Sequence, residues 1–432
     1  MFLKTVMERN QPLVRLGIEW QQNGVILPDT YLLDYDTILE NARSIKQAGD
    51  ANGVQNFFML KQIGRNPLIA RALTDMGYVG AVCVDFREAL TMVENQIPLG
   101  NVGHLVQIPR AALKKILRAK PVIITVYTLE KAREISAVCT ELGLHQKLML
   151  RVLGEGDMLY SGQYGGFELQ ELDSAVRAIE AMPNVEVGGV CSFPCFLYDE
   201  AAQDILPMPN LRTVQTAAEM LRARGYRGLM LNTPSATCTH SIPMIAAAGG
   251  THGEPGHGLT GTTPYHAGHP DAEERPGYLY VSEVSHNLGE KAYCYGGGHY
   301  RRGHMKNALV GTTPENAKVV PVLPPDDSSI DYHFELQQNC PVSAAAVMAF
   351  RTQFFVTRSR VAVVKGLSSG KPELAGLYSA LGEPVRECGG HQEEGHVHVH
   401  RPQPPAGAGP RPGGGQPGVH LSGRLLPPGA LC

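Results

Sequence analysis

Short apolar runs alternate with amphipathic stretches over the first two thirds of the chain. The apolar runs have the length of buried strands and are Tyr31–Tyr35, Asn56–Leu60, Gly80–Val84, Gly103–Gln107, Val122–Val126, Leu148–Val152, Val187–Cys191 and Gly228–Leu231. The amphipathic stretches have helical periodicity and are Ile38–Ala48, Pro67–Met76, Leu129–Leu142, Glu171–Ala181 and Leu211–Arg224. This alternation predicts βαβ units around a parallel sheet. The number of units fits a closed (β/α)8 barrel better than a doubly wound open sheet, which stays the alternative.

The pattern changes from about Arg275 onward. Short β-rich runs separated by turn residues replace the strand–helix alternation, and they are Tyr278–Val284, Lys291–Tyr295, Ala317–Leu323 and Arg358–Val364. These runs predict a smaller β domain after the barrel. The expected organisation is an N-terminal extension over residues 1–27, the barrel over 28–270, the β domain over 271–385 and a tail over 386–432.

The tail differs from the rest of the chain in composition. The protein has 432 residues, and 16 of the 32 residues from Arg401 to Cys432 are Gly or Pro. No Phe, Tyr or Trp follows Tyr378. A segment with so little apolar surface cannot offset the entropy lost on ordering. We therefore expect residues 386–432 to form a disordered, Gly/Pro-rich tail.

Charge and cysteine content narrow the classes of partner. The 38 basic and 41 acidic residues give a net charge of -3, so no overall field attracts nucleic acid or an anionic membrane. No apolar run approaches the roughly 20 residues of a membrane span, and the N terminus lacks a signal-peptide pattern. The nine cysteines contain no Cys-x-x-Cys pair, which argues against a disulfide framework and a structural zinc site. We expect a cytoplasmic protein that binds a small molecule.

Lys61 directly follows the apolar run Asn56–Leu60 and precedes a helix that Asn66 and Pro67 are suited to begin. In a barrel, the side chains at the carboxyl ends of the strands form the active site. An amine at the mouth of an apolar pocket has a lowered pKa, which favours its use as a nucleophile. A lysine whose amine reaches the surface is the alternative that the residues alone leave open.

Two segments near the predicted end of the barrel are suited to bind an anion. Residues 249–262 contain several glycines, whose backbone N–H groups can approach a phosphate closely. Residues 231–237 end another strand with hydroxyl groups, including those of Thr233 and Ser235. A glycine-rich turn without function and a helix N-cap are the corresponding structural alternatives.

The strand-terminal lysine and the glycine-rich segment resemble those of the alanine racemase-like, fold type III enzymes, most closely the YhfX-type branch. The resemblance covers about residues 28–375. It implies a pyridoxal 5'-phosphate (PLP) cofactor held by Lys61 as a Schiff base, on a barrel that a β domain follows. The other cofactor-binding residues that it implies are Arg151, Ser192, Thr233, Ser235, Glu254, Gly256, His257 and Gly258.

The Glu-Pro-Gly-His segment at residues 254–257 departs from the racemase pattern. Alanine racemases have an arginine in place of Glu254, whereas related amino-acid decarboxylases have a glutamate. A carboxylate against the pyridine nitrogen keeps that nitrogen protonated and makes the ring a stronger electron sink. The loop 161–167 also lacks the relatives' arginine, so the family's substrate contacts there do not carry over. Ser192 stands where racemases have a histidine that packs on the cofactor ring, and this departure argues for a distinct substrate.

Residues 291–304 of the β domain combine Tyr, Cys, His and Arg with three consecutive glycines. In fold type III dimers the second catalytic residue is a tyrosine or cysteine of the partner chain, so the resemblance implies a homodimer with shared active sites. The candidate acid–base residues are Cys294, Tyr295 and His299. The candidates to bind a substrate carboxylate are Arg301 and Arg302, with solvated hairpin charges as the alternative. We predict no metal site, because the histidines of this segment lack a cysteine at ligand spacing.

The resemblance implies chemistry at the Cα of an amino acid through an aldimine and a quinonoid. A racemase or epimerase is the leading hypothesis, because the segment 291–304 offers a proton donor for the face opposite Lys61. A decarboxylase or lyase is the alternative that Glu254 favours. A non-enzymatic PLP-binding homeostasis protein is a third class, which the large β domain argues against.

Overall fold

The structure is a computed structural model that describes residues 2–326 and 328–385. The predicted tail, residues 386–432, lies outside the described residues. The first elements are helices α1 (Leu3–Arg9) and α2 (Gln11–Gln22) and strand β1 (Thr30–Asp34). Asn10 caps α2, because its side chain accepts a hydrogen bond from the Leu13 backbone N–H.

The middle of the chain forms a barrel of parallel strands with helices between them. The strands are β2 (Gln55–Asn56), β3 (Phe58–Met59), β4 (Ala81–Cys83), β5 (Leu99–Val102), β6 (Ile123–Val126), β7 (Gln146–Leu153), β8 (Phe167–Glu168), β9 (Val185–Cys191), β10 (Phe196–Asp199), β11 (Asp204–Pro207), β12 (Met230–Asn232) and β13 (His252–Gly253). The helices are α3 (Tyr35–Asn52), α4 (Pro67–Asp75), α5 (Phe86–Glu94), α6 (Arg110–Arg118), α7 (Leu129–Leu142), α8 (Leu172–Glu180), α9 (Pro209–Ala223), α10 (Ile242–Ala247) and α11 (Pro264–Gly268).

The parallel sheet closes on itself through its first strand. β2 pairs with β13, where Gln55 lies opposite His252, and β3 pairs with β4, where Phe58 lies opposite Ala81. With β2 and β3 counted as one, the path β2-β13-β12-β9-β7-β6-β5-β4-β3 has eight strands. The predicted (β/α)8 barrel is therefore confirmed. β8 pairs with β7 beside this path, and β10 and β11 form a separate hairpin.

Two of the predicted barrel strands differ from the structure. The run Tyr31–Tyr35 corresponds to β1, which pairs with strands near the C terminus and not with the barrel. The run Gly103–Gln107 is a loop, because the strand β5 ends at Val102 and Gly103 turns the chain with a φ of +88°. The eighth barrel strand is β13, a two-residue strand that no apolar run marks.

The C-terminal part forms antiparallel strands that also include β1. They are β14 (Tyr278–Leu288), β15 (Lys291–Tyr295), β16 (Asn307–Gly311), β17 (Lys318–Leu323), β18 (His333–Leu336), β19 (Ala345–Met348), β20 (Arg360–Lys365) and β21 (Glu373–Ser379). The pairings of β14, β15, β18, β17, β16 and β19 close a second ring. β1 lies between β14 and β20, and apolar residues of α2 pack against β14 and β19.

The connection between β19 and β20 brings the β domain to the carboxyl end of the barrel. The Phe354 backbone N–H donates to the Lys61 carbonyl oxygen at 2.9 Å. His257 Nε2 lies 3.1 Å from the carbonyl oxygen of Thr352. These contacts place residues of the connection beside the end of the first barrel strand. Within the described part of the chain, none of the helices is long and apolar enough to span a membrane.

Candidate active site

A cleft of about 510 Å³ opens at the carboxyl ends of the barrel strands. Half of the residues that the sequence analysis assigned to the site line this cleft, namely Lys61, Ser235, Glu254, Gly256, His257, Gly258 and Arg302. The polar and aromatic lining residues that it did not assign include Gln62, Asp85, Tyr160, Gln163, Tyr300 and Arg351. The cleft therefore joins residues from both domains.

Lys61 lies in the turn between β3 and α4. Gly64 and Arg65 have positive φ angles, which bend the chain there, and the Asn66 side chain caps α4. The turn leaves Lys61 only 8% exposed. Burial lowers the pKa of its amine, while the negative charges of Glu88 and Glu254 oppose that shift. A lowered pKa increases the neutral fraction of the amine, which is the nucleophilic form.

A buried ionic cluster lies close to Lys61. Arg65 Nη2 is 3.2 Å from Asp85 Oδ2, and Arg65 Nε is 3.4 Å from Glu88 Oε1. Glu88 Oε2 accepts a hydrogen bond from the Val84 backbone N–H at 2.7 Å. Burial raises the pKa of Glu88 to about 7, against the effect of Arg65. This cluster was not predicted from the sequence, although Asp85 and Glu88 have the spacing of a helix-capping pair.

Glu254 lies at the end of β13 with one oxygen fixed and the other without a hydrogen bond. Asn101 and Asn232 donate to its Oε1 through their Nδ2 atoms, at 3.2 and 2.6 Å. In the described part of the chain, Glu254 Oε2 is buried without a hydrogen-bond partner, and His104 Nε2 lies 3.7 Å from it. Burial lowers the pKa of His104, which favours its neutral form. The carboxylate is thus held in place by amides and keeps one acceptor atom for a further group.

The glycines after Glu254 let the backbone pass closely along the cleft. A Cβ on Gly256 would collide with Gln62 Oε1, and a Cβ on Gly258 would collide with the carbonyl oxygen of Thr237. Gln62 Oε1 is buried and has no hydrogen-bond partner among the described residues. Between these glycines, His257 is held by its contact with Thr352, and burial keeps its pKa well below the ordinary value. A bare backbone beside a cleft suits an anion that hydrogen-bonds to N–H groups.

Three other predicted cofactor residues lie behind the cleft wall and are fully buried. Arg151 Nη1 lies 2.8 Å from the Tyr127 hydroxyl oxygen, and its Nη2 donates to the Gln163 carbonyl oxygen at 2.8 Å. Ser192 accepts a hydrogen bond from Asn210 at 3.0 Å. These two residues therefore support the loops around the cleft. The third, Thr233, has a buried Oγ1 that no other described atom bonds.

The candidate acid–base residues of the β domain and Arg301 do not line the cleft of their own chain. Cys294 is buried inside the ring of β strands, and burial raises the pKa of its thiol to about 12. Tyr295 is 39% exposed. His299 is half-buried, and its backbone N–H donates to Asp331. A contribution of these residues to the site of a second copy stays a prediction.

Comparisons with known families and proteins identify the family of this chain. Residues 33–264 match the alanine racemase N-terminal domain, and residues 279–374 match the YhfX-like C-terminal domain. The chain is 43% identical over 387 residues to the uncharacterized protein YhfX of Escherichia coli (strain K12), covering 89% of this chain and 100% of that protein. The chain belongs to the alanine racemase-like, fold type III family, in its YhfX branch. The predicted family is confirmed.

Solved structures share the fold of this YhfX-branch chain at low sequence identity. An alanine racemase of Clostridium difficile 630 with cycloserine has a TM-score of 0.59 and 14% identity, over 82% of this chain and 99% of that chain. D-threonine aldolase of Filomicrobium marinum has a TM-score of 0.56 and 16% identity, over 75% and 86%. D-threo-3-hydroxyaspartate dehydratase of Delftia sp. HT23 has a TM-score of 0.56 and 15% identity, over 81% and 96%. The barrel and the following β domain are therefore a scaffold common to enzymes of several reaction types.

Proposed function

We propose that this protein binds PLP through Lys61 and acts at the Cα of an amino acid, as a racemase or epimerase. One observation carries the proposal. A buried lysine with a lowered pKa ends the first barrel strand and faces a cleft that also contains an amide-held glutamate. A surface lysine would show neither the burial nor the shared cleft.

The residues around the cleft fit the two ends of PLP. Glu254 has a buried oxygen without a partner, which suits a protonated ring nitrogen. Gly256 and Gly258 leave no space for a side chain, and Ser235, which lines the same cleft, adds a hydroxyl group, which suits a phosphate. When bound, PLP supplies an electron-withdrawing ring that stabilises negative charge at Cα.

Lys61 and Glu254 have separate tasks in the proposed reaction. The Lys61 amine, whose pKa is lowered by burial, acts on one face of Cα, where it takes the proton from one enantiomer as a base and delivers it to the other as an acid. Glu254 holds a proton on the ring nitrogen, and Asn101 and Asn232 fix its orientation. Racemisation also needs an acid on the opposite face. We assign this role to a residue of a second copy in a homodimer, for which the exposed Tyr295 is better placed than the buried Cys294.

A decarboxylase or lyase is the second candidate function, and Glu254 is the observation that favours it. The alanine racemase pattern has an arginine at this position, and a carboxylate makes the ring a stronger electron sink. Named structural neighbours include an aldolase and a dehydratase, which break bonds other than Cα–H. Loss of CO2 or of a side-chain group would use the same cleft.

The covalent link to Lys61 tests the proposal directly. The protein is incubated with PLP, reduced with borohydride, digested and analysed by mass spectrometry. We expect one phosphopyridoxyl label, on Lys61, and no label at that site in Lys61→Ala. Lys371→Ala, which changes an exposed lysine, should be labelled like the wild type. A wild-type protein without the label on Lys61 would overturn the proposed cofactor site.

The reaction type is tested in deuterated water with pools of amino acids. Deuterium at Cα with the carboxylate retained supports a racemase or epimerase. Release of CO2 supports a decarboxylase, and release of ammonia or an aldehyde supports a lyase. A labelled Lys61 without any of these reactions would support a non-enzymatic PLP-binding protein and overturn the proposed activity.

A further inference from the structure

Two arginines of the β domain face the cleft without an acidic partner. Arg302 and Arg351 both line it. In residues 2–326 and 328–385, neither guanidinium forms an ion pair with an aspartate or glutamate, and Arg351 Nε is buried without a hydrogen-bond partner. Arg302 is exposed, whereas Arg351 is partly buried, and a buried guanidinium normally pairs with a carboxylate. Arg351 therefore lacks the anionic partner that its burial requires, and Arg302 adds a second positive charge to the same cleft.

The loops that carry the two arginines are tied together. The Gly303 backbone N–H donates to the Tyr300 carbonyl oxygen at 2.7 Å, which forms a tight turn around Arg302. The Arg351 backbone N–H donates to the Gly303 carbonyl oxygen at 3.0 Å. The Arg302 guanidinium carbon lies 4.7 Å from the ring centroid of Tyr160. The Arg302 guanidinium and the backbone of Arg351 are thus held at one side of the cleft.

The positive charges of Arg302 and Arg351 repel each other. Burial lowers the pKa of Arg351, and the charge of Arg302 lowers it further. The two acids that line the cleft have other partners, because Asp85 forms an ion pair with Arg65 and Glu254 accepts hydrogen bonds from Asn101 and Asn232. An arrangement that is unfavourable when the cleft is empty becomes favourable when an anion occupies it.

We infer that the substrate is an amino acid with a second acidic group on its side chain, either a carboxylate or a phosphate. One guanidinium binds the α-carboxylate and the other binds the side-chain acid. The inference rests on the proposed function, since it places an amino acid in this cleft. It adds a substrate class and a new specificity residue, Arg351.

The cofactor phosphate is the competing anion, and the topology argues against it. The glycines and hydroxyls suited to the phosphate follow β12 and β13. Tyr160, on which Arg302 lies, follows β7, and β9 separates β7 from β12 in the barrel. The charge environment of Arg351 also includes Tyr160 and Tyr300, which lie on the Arg302 side.

Calorimetric titration of the PLP-loaded protein tests the inference with four probes: aspartate, glutamate, O-phosphoserine and alanine. We expect at least one acidic probe to bind at least about 10-fold more tightly than alanine, and the best acidic probe identifies the side-chain group. Alanine binding as tightly as every acidic probe would overturn the inference.

Arg302→Gln and Arg351→Gln assign the two positions. Each should weaken the best acidic probe about 10- to 100-fold, and only one of the two should also weaken alanine, because alanine lacks the second acid. Arg212→Gln, which changes an exposed arginine of α9, is the control and should leave all affinities unchanged. Equal losses for alanine and the acidic probe in both variants would overturn the two-anion assignment.

Two further measurements separate the possible failures. If Arg351→Gln weakens PLP binding and leaves the preference for acidic probes intact, Arg351 binds the cofactor phosphate and the assignment fails. Borohydride labelling of Lys61 reports on the proposed function independently. Labelling without a preference for acidic probes refutes only the substrate class, whereas the preference without labelling refutes only the cofactor site.

Discussion

The barrel wall and the β-domain wall of the cleft differ in how their charged groups are held. On the barrel wall, Glu254 is bound by two asparagines, and Asp85 is paired with Arg65. On the β-domain wall, Arg302 and Arg351 have no acidic partner in the described residues, although their backbones are fixed. The acids of the barrel wall are each held by neighbouring side chains, whereas the arginines of the β-domain wall have no acidic partner among the described residues.

This difference suggests a division of labour. Groups whose orientation is fixed by neighbouring side chains are preorganised and suit a part of the reaction that never changes, such as the cofactor. Unpaired charges suit a part that differs between relatives, such as the substrate. The division predicts that barrel-wall changes affect every substrate, whereas β-domain changes affect the choice among substrates.

The largest expected effect comes from Glu254→Gln on the barrel wall. Glutamine keeps the size of the side chain but cannot hold a proton on the ring nitrogen of PLP. Loss of one preorganised charge in an active site typically lowers the rate about 10²- to 10³-fold. We expect this loss in kcat for acidic and neutral amino acids alike, with the label on Lys61 retained.

The exposed Glu219 of α9 provides a matched control for that change. Glu219→Gln should leave kcat within about twofold of the wild type. If Glu254→Gln instead affected only acidic substrates, the division between the two walls would be wrong.

The next effect concerns the pH dependence of stability. Glu88 has its pKa raised to about 7, so the folded state keeps a proton that the unfolded state loses above about 4.5. The free energy of unfolding should therefore fall as the pH rises through this window, by up to about 3 kcal/mol. His252 has its pKa lowered to about 4 by burial, and its contribution rises by a similar amount between about pH 4 and 6.5.

Urea unfolding between pH 4.5 and 6.5 separates these opposing contributions. As the pH rises, the free energy of unfolding of Glu88→Gln should increase relative to that of the wild type. That of His252→Gln should decrease relative to the wild type over the same range. Parallel curves for all three proteins would show that neither group keeps an altered pKa in the folded barrel.

The smallest effect is expected in the β domain, at Cys294. The thiol is buried among β strands, so Cys294→Ala should lower the free energy of unfolding by about 1–2 kcal/mol and leave kcat of the folded protein unchanged. Cys340→Ala, at another buried cysteine of the same domain, should behave alike. A loss of activity in Cys294→Ala alone would instead support a role in proton transfer.

The local sequence pattern was sufficient to predict most strands of the barrel, but not the strand β13 that closes it. Apolar runs of three residues or more, such as the one that became β6, stand out in the sequence because burial on both faces requires them. β13 has only two residues, His252 and Gly253, and only its pairing with β12 and β2 assigns it to the barrel. β1 has the composition of a barrel strand, and only its partners assign it to the other sheet.

The residues of the candidate site show the same difference between local pattern and long-range contacts. Lys61 directly follows an apolar run, and Glu254 was identified through the resemblance of its glycine-rich segment to the family; both line the cleft. Arg351 could not be predicted in this way, since it lies in a connection whose relation to the barrel depends on contacts such as that between Phe354 and Lys61. His104 was not predicted either, because it lies in a loop where the sequence pattern predicts the strand Gly103–Gln107.

The position of β1 has a consequence for synthesis of the protein. β1 leaves the ribosome early, but its first sheet partner, β14, is made only about 250 residues later. At 5–20 residues per second, roughly 10 to 50 seconds pass before that partner exists. An apolar strand with unpaired edges is prone to associate with other chains during such an interval. The early helices and β1 are therefore where a nascent chain of this protein has most need of a chaperone.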